Sequence, residues 1–202
     1  LTPEIRKEEM GLRRGTGVLL AAALCFALLP RAGAAEVTVS AQSAVLMEAE
    51  SGRVLYAKDA DTPRLIASTT KLMTALVALE SGHSLEEVVT IPAEAAGVEG
   101  SSLYLKAGET VKLKTLLYGM LLQSGNDAAT AVALYCAGSL EAFAQKMNEK
   151  AQQLGMTNSH FTNPTGLDGE EHYSSAYDMA LLARACLDVP ELKEITATRS
   201  TT

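Results

Sequence analysis

Residues 68–79 constrain the fold more than any other part of this sequence. They read STTKLMTALVAL, have the length and composition of a helix, and are followed by Ser81-Gly82, which ends it. Past its first turn this helix is apolar on almost every side, with Thr74 as the only polar interruption. A helix of this kind is stable only when protein surrounds it. The sequence therefore predicts a domain built around this segment as its central helix.

The first turn of this helix carries two residues that could perform chemistry together. Ser68 and Lys71 are three positions apart, so both side chains project from one face. Burial would lower the lysine pKa toward the range where a neutral amine acts as a base, and a serine within its reach would be an activated nucleophile. The alternative is structural, with Ser68 as a helix N-cap and Lys71 extending to solvent. These four residues alone support both interpretations.

A second candidate group lies between two predicted helices, residues 111–122 and 127–137. Ser124-Gly125-Asn126 separates these apolar segments, so its hydroxyl and amide are expected to be buried. Buried polar groups need hydrogen-bond partners, and the candidates here are the Lys71 amine and a substrate amide. The alternative is a simple interhelical turn in which Asn126 or Asp127 caps the next helix.

The other predicted elements give a mixed α+β order. A β-hairpin is predicted over residues 44–47 and 54–56, with Ser51-Gly52 at the turn, and a short strand over residues 88–91. A surface helix is predicted over residues 139–154, then a long loop over 158–172. A last helix, ending at Leu187, opens with a capping box in which the Asp178 side chain reaches back to the cap at Ser175. Two strands and one short strand are too few for a stable sheet.

The N-terminal segment predicts export. Residues 18–29 are uncharged and apolar, Arg13-Arg14 precedes them, and small residues follow at 32–35, which is the pattern of a signal peptide. Twelve residues are too few to span a bilayer as a helix, which needs about 20. We therefore expect residues 1–35 to comprise upstream residues and a signal peptide, and residues 36–202 to form the domain. A buried N-terminal helix is the alternative.

Charge, cysteines and histidines exclude several classes of function. The net charge of −7 would repel nucleic acid, so none is expected as a partner. Outside the signal peptide, Cys136 and Cys186 could form a disulfide in an oxidising compartment, but their apolar helical surroundings favour two buried free thiols. His83, His160 and His172 lack metal-ligand spacing, which predicts surface or loop-packing roles and no metal or cofactor.

Three ordered segments carry a resemblance to a known family. PRLIASTTKLMTALVALE, LLYGMLLQSGNDAATAVA and GMTNSHFTNPTGLDGEEHYSSAYDMALLAR resemble serine-type D-alanyl-D-alanine carboxypeptidases, the low-molecular-mass penicillin-binding proteins. GSSLYLKAGE, at residues 100–109, is also similar to that family. The resemblance covers residues 44–187. It implies a β-lactamase/transpeptidase-like fold of class α+β (an α/β sandwich), in which a helical cluster packs against an antiparallel sheet.

The resemblance also implies a mechanism and roles for four residues. Ser68 would attack the penultimate D-alanine carbonyl of a peptidoglycan stem peptide, and Lys71 would be the general base. Ser124 would relay a proton to the departing D-alanine, and Asn126 would bind the substrate backbone. β-Lactam antibiotics would acylate Ser68 as mimics of that peptide, and no cofactor is implied.

The sequence departs from the family pattern at its third motif. No K-T-G tripeptide follows Asp188, so the C-terminal strands of the sheet, and one wall of the site, are expected to be missing and activity to be weak. Peripheral membrane association would likewise depend on an absent C-terminal region. Two alternatives remain open: a class A β-lactamase, which would want S-D-N at residues 124–126 and a deacylating glutamate, and a non-catalytic module that binds β-lactams or cell wall.

Overall fold

The computed structural model describes residues 37–199, and within that range it contains two small antiparallel sheets and six α-helices. This confirms the predicted α+β class. The predicted signal peptide and the boundary at residue 36 lie outside the described residues and stay predictions. The elements, in chain order, are β1 (Ala44–Met47), β2 (Val54–Lys58), a 3-10 turn (Ala67–Thr70), α1 (Lys71–Leu79), β3 (Val88–Thr90), a second 3-10 turn (Ala93–Ala95), β4 (Thr110–Lys112), α2 (Leu113–Leu122), α3 (Asn126–Ala137), α4 (Leu140–Leu154), α5 (Ala176–Leu187) and α6 (Pro190–Ala197).

Helix α1 occupies the centre of the helical cluster, as its composition predicts. It contacts α2, α3, α4 and α5, and its residues Met73, Ala75 and Leu76 are almost fully buried. Each large apolar side chain buried in this way stabilises the fold by about 1.5–3 kcal/mol. The first eight residues of α3 are buried as well, and most of them are small, so α3 approaches its neighbours closely.

The predicted hairpin is confirmed, with β2 two residues longer than expected. β1 and β2 pair antiparallel with Ala44 opposite Lys58. Arg184 of α5 attaches the turn of the hairpin to the helices, because its guanidinium donates to the carbonyls of Ala49 and Glu50. Leu46 and Leu55 remain exposed on this sheet, at 56% and 52%.

The second sheet changes the predicted start of one helix. The predicted strand at residues 88–91 is observed as β3, and it pairs with β4, which takes up the first two residues predicted as helix 111–122. α2 therefore begins at Leu113. The reason is local pairing: Val89 lies opposite Val111, and burying Val89 favours an extended backbone at Val111 over a helical turn.

Two further details of the prediction were wrong. The Ser175 side chain caps α5 by accepting from the N–H of Asp178, but the Asp178 carboxylate does not return to the cap. It accepts instead from the N–H of Asn158 and the hydroxyl of Ser159, which ties the long loop to α5. The predicted last helix is also followed by another, α6, which starts with Pro190 at its first position.

Candidate active site

Lys71 is the first residue of α1 and is buried, with 2% of its surface exposed. Its Nζ donates to three oxygens: Ser68 Oγ at 3.1 Å, Asn126 Oδ1 at 2.7 Å and the Thr165 carbonyl at 2.6 Å. An ammonium has three N–H donors, so all of them are used. The alternative in which Lys71 extends to solvent is wrong, because the amine points inward between three chain segments.

Burial changes the acid–base behaviour of this amine. It lowers the pKa of Lys71 from about 10.5 to about 8, because the charged form loses hydration inside the protein. A minor fraction of the amine is then neutral near neutral pH, and that fraction grows as the pH rises toward 8. The neutral form keeps two N–H donors and gains one lone pair. Since Asn126 Oδ1 and the Thr165 carbonyl can only accept, they retain the two donors, and the lone pair faces the Ser68 hydroxyl.

Ser68 lies in the 3-10 turn immediately before α1, not in the α-helix itself. Its side chain is exposed, unlike that of Lys71, so a ligand could reach its Oγ. Ala67, the residue before it, has a left-handed φ of 45°, a conformation that is uncommon for residues other than glycine and that recurs at functional sites. The turn thus presents a hydroxyl to solvent while holding it beside a buried amine.

The turn between α2 and α3 brings the second candidate group to the same point. Ser124 has a left-handed φ of 58°, and its hydroxyl donates to Ser68 Oγ at 2.8 Å. The Asn126 amide nitrogen donates to the Glu99 carbonyl at 2.6 Å, which orients its Oδ1 toward Lys71. Neither Asn126 nor Asp127 caps α3 from the N-cap position, which Gly125 occupies. The turn is therefore more than an interhelical connection.

Asp127 supports this turn, and the sequence indicated it only as a possible helix cap. Its carboxylate is fully buried and accepts from the N–H groups of Leu103 and Leu105 and from the Ser102 hydroxyl. Burial by itself would raise the pKa of Asp127, but these hydrogen bonds and one from the Ala128 N–H outweigh it, and the net shift is downward. Segment 102–105, which lies within the stretch similar to the family, is thereby fixed beside Gly125.

The third acceptor of Lys71 comes from the long loop, and sequence reasoning missed it. Asn163 organises this part of the loop: its Oδ1 accepts from the Thr165 N–H, the Thr165 hydroxyl and the Gly166 N–H. Gly166 has a φ of 86°, and a Cβ there would lie 1.9 Å from the Ala67 carbonyl oxygen. The loop backbone is therefore in direct contact with the turn that carries Ser68. A main-chain acceptor leaves no residue signature, although the Asn-Pro-x-Gly sequence at 163–166 is a signal for a tight turn.

The cysteines and histidines of the described residues form no hydrogen bond with Ser68 or Lys71. Cys136 and Cys186 are both free thiols, as predicted, but only Cys186 is buried and Cys136 is partly exposed. His172 packs inside the long loop and is 1% exposed, so it is a loop-packing residue and not a surface one.

Within residues 37–199 there is no group of three or more His, Cys, Asp or Glu residues that could hold a metal ion. Over the same residues, none of the helices has the length and apolar composition needed to cross a membrane.

Comparison with protein families gives one match that covers most of the chain. Residues 31–202 match the model of the peptidase S11 family, described as D-alanyl-D-alanine carboxypeptidase. The chain is 43% identical over 167 residues to the D-alanyl-D-alanine carboxypeptidase DacF of Bacillus subtilis, covering 81% of this chain and 43% of the relative. It is 41% identical over 191 residues to DacC of Escherichia coli, covering 87% and 48%. The chain spans about half the length of these relatives.

Solved structures give the same result for the fold. The model resembles a D-alanyl-D-alanine carboxypeptidase of Mycobacterium tuberculosis with a TM-score of 0.79 and 35% identity, covering 84% of this chain and 65% of that one. It resembles penicillin binding protein 6B of Escherichia coli with a TM-score of 0.80 and 34% identity, covering 85% and 58%. The predicted transpeptidase-like fold is confirmed.

Proposed function

Because this chain belongs to the D-alanyl-D-alanine carboxypeptidase family of peptidase S11, we propose that it forms part of a serine peptidase that removes the terminal D-alanine from peptidoglycan stem peptides. One observation carries the proposal. The exposed Ser68 Oγ lies 3.1 Å from the buried Lys71 amine and 2.8 Å from the Ser124 hydroxyl. A nucleophile, a base and a second proton carrier therefore meet at one point of the surface.

In the acylation step Ser68 is the nucleophile and Lys71 is the general base. The lone pair of the neutral amine takes the Ser68 proton as Oγ attacks the carbonyl of the penultimate D-alanine. The Ser68 N–H supplies one hydrogen bond to the resulting oxyanion, and a second donor comes from a sheet strand that bears the K-T-G motif in this family. Once Lys71 has taken the proton and Ser68 Oγ is part of the ester, the Lys71 ammonium again has three acceptors.

The departing D-alanine leaves as an amine and needs a proton. Ser124 is placed to deliver it, since its hydroxyl proton lies beside Ser68 Oγ, and the Lys71 ammonium, which holds the proton taken from Ser68, is the source that restores it to Ser124. Water then hydrolyses the acyl-enzyme in the reverse sense, with the same base. Substrate binding by Asn126 stays a prediction: each end of its amide already has a protein partner, so a substrate would use its remaining donor hydrogen or lone pair.

The same site would react with β-lactams, which enter as mimics of the D-Ala-D-Ala terminus and leave Ser68 acylated. The solved relatives include proteins whose names state that they bind penicillin. We also propose that the protein is exported, because its substrate lies outside the cytoplasmic membrane and residues 13–35 have the pattern of a signal peptide. It would act there in cell-wall remodelling.

Labelling with a fluorescent penicillin tests the proposal. We expect the full-length gene product to label covalently in a way that Ser68→Ala abolishes, and to release D-alanine from a D-Ala-D-Ala peptide. Thr69→Ala is the matched control, since Thr69 is the exposed neighbour of Ser68 and its hydroxyl donates to the Ile66 carbonyl.

Other outcomes of this experiment identify the alternatives. Rapid, repeated hydrolysis of penicillin would instead indicate a β-lactamase. Absence of any Ser68-dependent label would indicate a non-catalytic module. The 202 residues contain no K-T-G, and we expect them alone to label weakly or not at all.

A further inference from the structure

His172 is a buried titratable side chain that the proposed mechanism does not use. It is 1% exposed, and its ring lies edge-on to Phe161 with the ring centroids 5.8 Å apart. Its Nε2 lies 2.8 Å from the Thr70 hydroxyl, and its Nδ1 accepts from the Thr162 N–H at 3.1 Å. The ring therefore bridges the long loop and the turn that carries Ser68.

The partners of His172 determine where its proton lies. A backbone N–H can only donate, so Nδ1 presents its lone pair to Thr162, and in the neutral ring the proton is on Nε2. Nε2 therefore donates to Thr70 Oγ1. Burial lowers the pKa of His172, the nearby His160 lowers it further, and Asp168 opposes the shift, so the neutral ring is favoured near neutral pH.

Thr70 connects this bond to the catalytic candidates. It is fully buried, follows Ser68 by two residues and directly precedes Lys71. It is the last residue of the 3-10 turn and has helical dihedral angles, so the chain passes through it directly into α1. Its hydroxyl joins the long loop through His172 Nε2.

Two other bonds join the same loop to α1. The Thr165 carbonyl accepts from Lys71, and the Pro164 carbonyl accepts from the Thr74 hydroxyl at 2.7 Å. Both depend on backbone atoms of the loop, whereas His172 supplies the attachment from a side chain at its far end. Without it, the turn at 67–70 would lose its side-chain attachment to the loop whose Thr165 carbonyl helps to orient the Lys71 lone pair.

We propose that His172 is a positioning residue for acylation of Ser68, acting through the Thr70 hydroxyl to hold the turn that carries Ser68 and Lys71 against the long loop. This inference rests on the proposed function. His172 forms hydrogen bonds with Thr70 and Thr162 and with neither Ser68 nor Lys71, so it takes no part in proton transfer. A displacement of reacting groups by about 1 Å can cost about 100-fold in rate, which sets the scale of the effect.

Two substitutions of His172 separate its two bonds. In His172→Gln the amide nitrogen falls near Nε2 and keeps a donor for Thr70, whereas in His172→Asn the amide oxygen falls near Nδ1 and keeps only the acceptor for Thr162. We expect the penicillin acylation rate of the full-length protein to fall about 10-fold in His172→Asn and less than about 3-fold in His172→Gln. The acylation pH profile of His172→Asn should also shift to higher pH, as Lys71 becomes better hydrated and its pKa rises.

Thr70 provides a second and independent test. Thr70→Val removes the acceptor at nearly constant volume, and Thr70→Ser keeps it. We expect Thr70→Val to lower the acylation rate as much as His172→Asn does, and Thr70→Ser to acylate at nearly the parent rate. The double variant His172→Asn/Thr70→Val should acylate no more slowly than either single variant. His83→Gln, in a histidine that pairs with Glu87 away from this site, is the control.

The outcomes are distinguishable from failure of the proposed function. If Ser68→Ala labels as well as the parent protein, the function itself is wrong. If Ser68 is labelled but folded His172→Asn and Thr70→Val both acylate at the parent rate and with the parent pH profile, His172 is only a packing residue and the inference is overturned. Thermal melting identifies variants that fail to fold. If His172→Asn fails to fold, the acylation rate of Thr70→Val decides between the two roles, because that substitution keeps nearly the same side-chain volume.

Discussion

Lys71 is held from two sides that use different parts of the polypeptide. On one side, the turn at residues 124–126 supplies side chains: the Asn126 amide oxygen to Lys71 and the Ser124 hydroxyl to Ser68. On the other side, the loop at residues 162–168 supplies a backbone carbonyl, that of Thr165. The comparison shows that one amine can be oriented both by a side-chain acceptor, which depends on the residue type, and by a main-chain acceptor, which depends on the path of the backbone. Substitution acts directly on the first and only indirectly on the second.

The largest effect is expected at the residue that both sides share. Lys71→Met removes the general base while preserving an unbranched apolar stem, and we expect acylation of Ser68 by penicillin to fall about 1,000-fold. In the parent protein the acylation rate should rise with pH through about 8, because only the neutral amine accepts the serine proton. Stopped-flow labelling between pH 6 and pH 9 checks both. A rate independent of pH over that range would contradict Lys71 as the base.

On the loop side, the largest effect is expected at Gly166. A Cβ there would lie 1.9 Å from the Ala67 carbonyl, so Gly166→Ala must push the loop away from the Ser68 turn. We expect acylation to fall about 100-fold. Gly97→Ala is the matched control, because Gly97 has a similar φ of 76° with open space around it. It should carry only the backbone penalty of about 1 kcal/mol in the free energy of unfolding. Equal acylation rates in the two variants would show that the contact is unimportant.

On the turn side, we expect Asn126→Ala to lower acylation about 30-fold. It removes one acceptor from a charged amine, a bond worth about 1.5–3 kcal/mol, and leaves the neutral lone pair less well directed. Asn126→Asp gives a different result: a carboxylate beside Lys71 should raise the amine pKa and move the acylation profile to higher pH. Penicillin labelling across pH distinguishes them. An unshifted profile in Asn126→Asp would contradict the direct contact.

The smallest effect is expected at Asn163, which acts on Lys71 only through the loop backbone. Asn163→Ala removes the acceptor for the Thr165 and Gly166 N–H groups, and we expect about a 10-fold loss of acylation. Asn163→Asp keeps that acceptor and gives up the bond from Nδ2 to the Leu167 carbonyl, so it should recover most of the rate. If alanine and aspartate behave alike, the loop holds its shape without this side chain.

The side-chain half of the site could be predicted from the sequence, and the backbone half could not. Ser68, Lys71, Ser124 and Asn126 form recognisable spacings, and the structure brings all four together. Thr165 contributes a carbonyl that any residue possesses, so neither spacing nor composition indicates it. Asp127 was visible only as a possible cap, because three of its partners lie more than 20 positions earlier in the chain.

The fold shows the same division between local and long-range causes. The hairpin and the central helix follow from local patterns of apolar residues and were predicted within a few positions. The helix start was wrong by three residues: at 67–70 the backbone follows a 3-10 turn, where Ala67 is in direct contact with Gly166. The sequence predicted that the Asp178 carboxylate would cap its own helix. The carboxylate instead accepts hydrogen bonds from residues 158–159, which long-range packing brings beside it.

The two free thiols, Cys186 buried and Cys136 partly buried, have a practical consequence for such experiments. Burial raises the pKa of Cys186 to about 11 and also raises that of Cys136, so the thiolate, which is the reactive form, is scarce at neutral pH. Alkylating reagents should modify them slowly. A cysteine introduced at the exposed Leu167, on the loop beside Lys71, would therefore accept a maleimide fluorophore selectively over these two thiols, and its emission would report directly on movement of that loop.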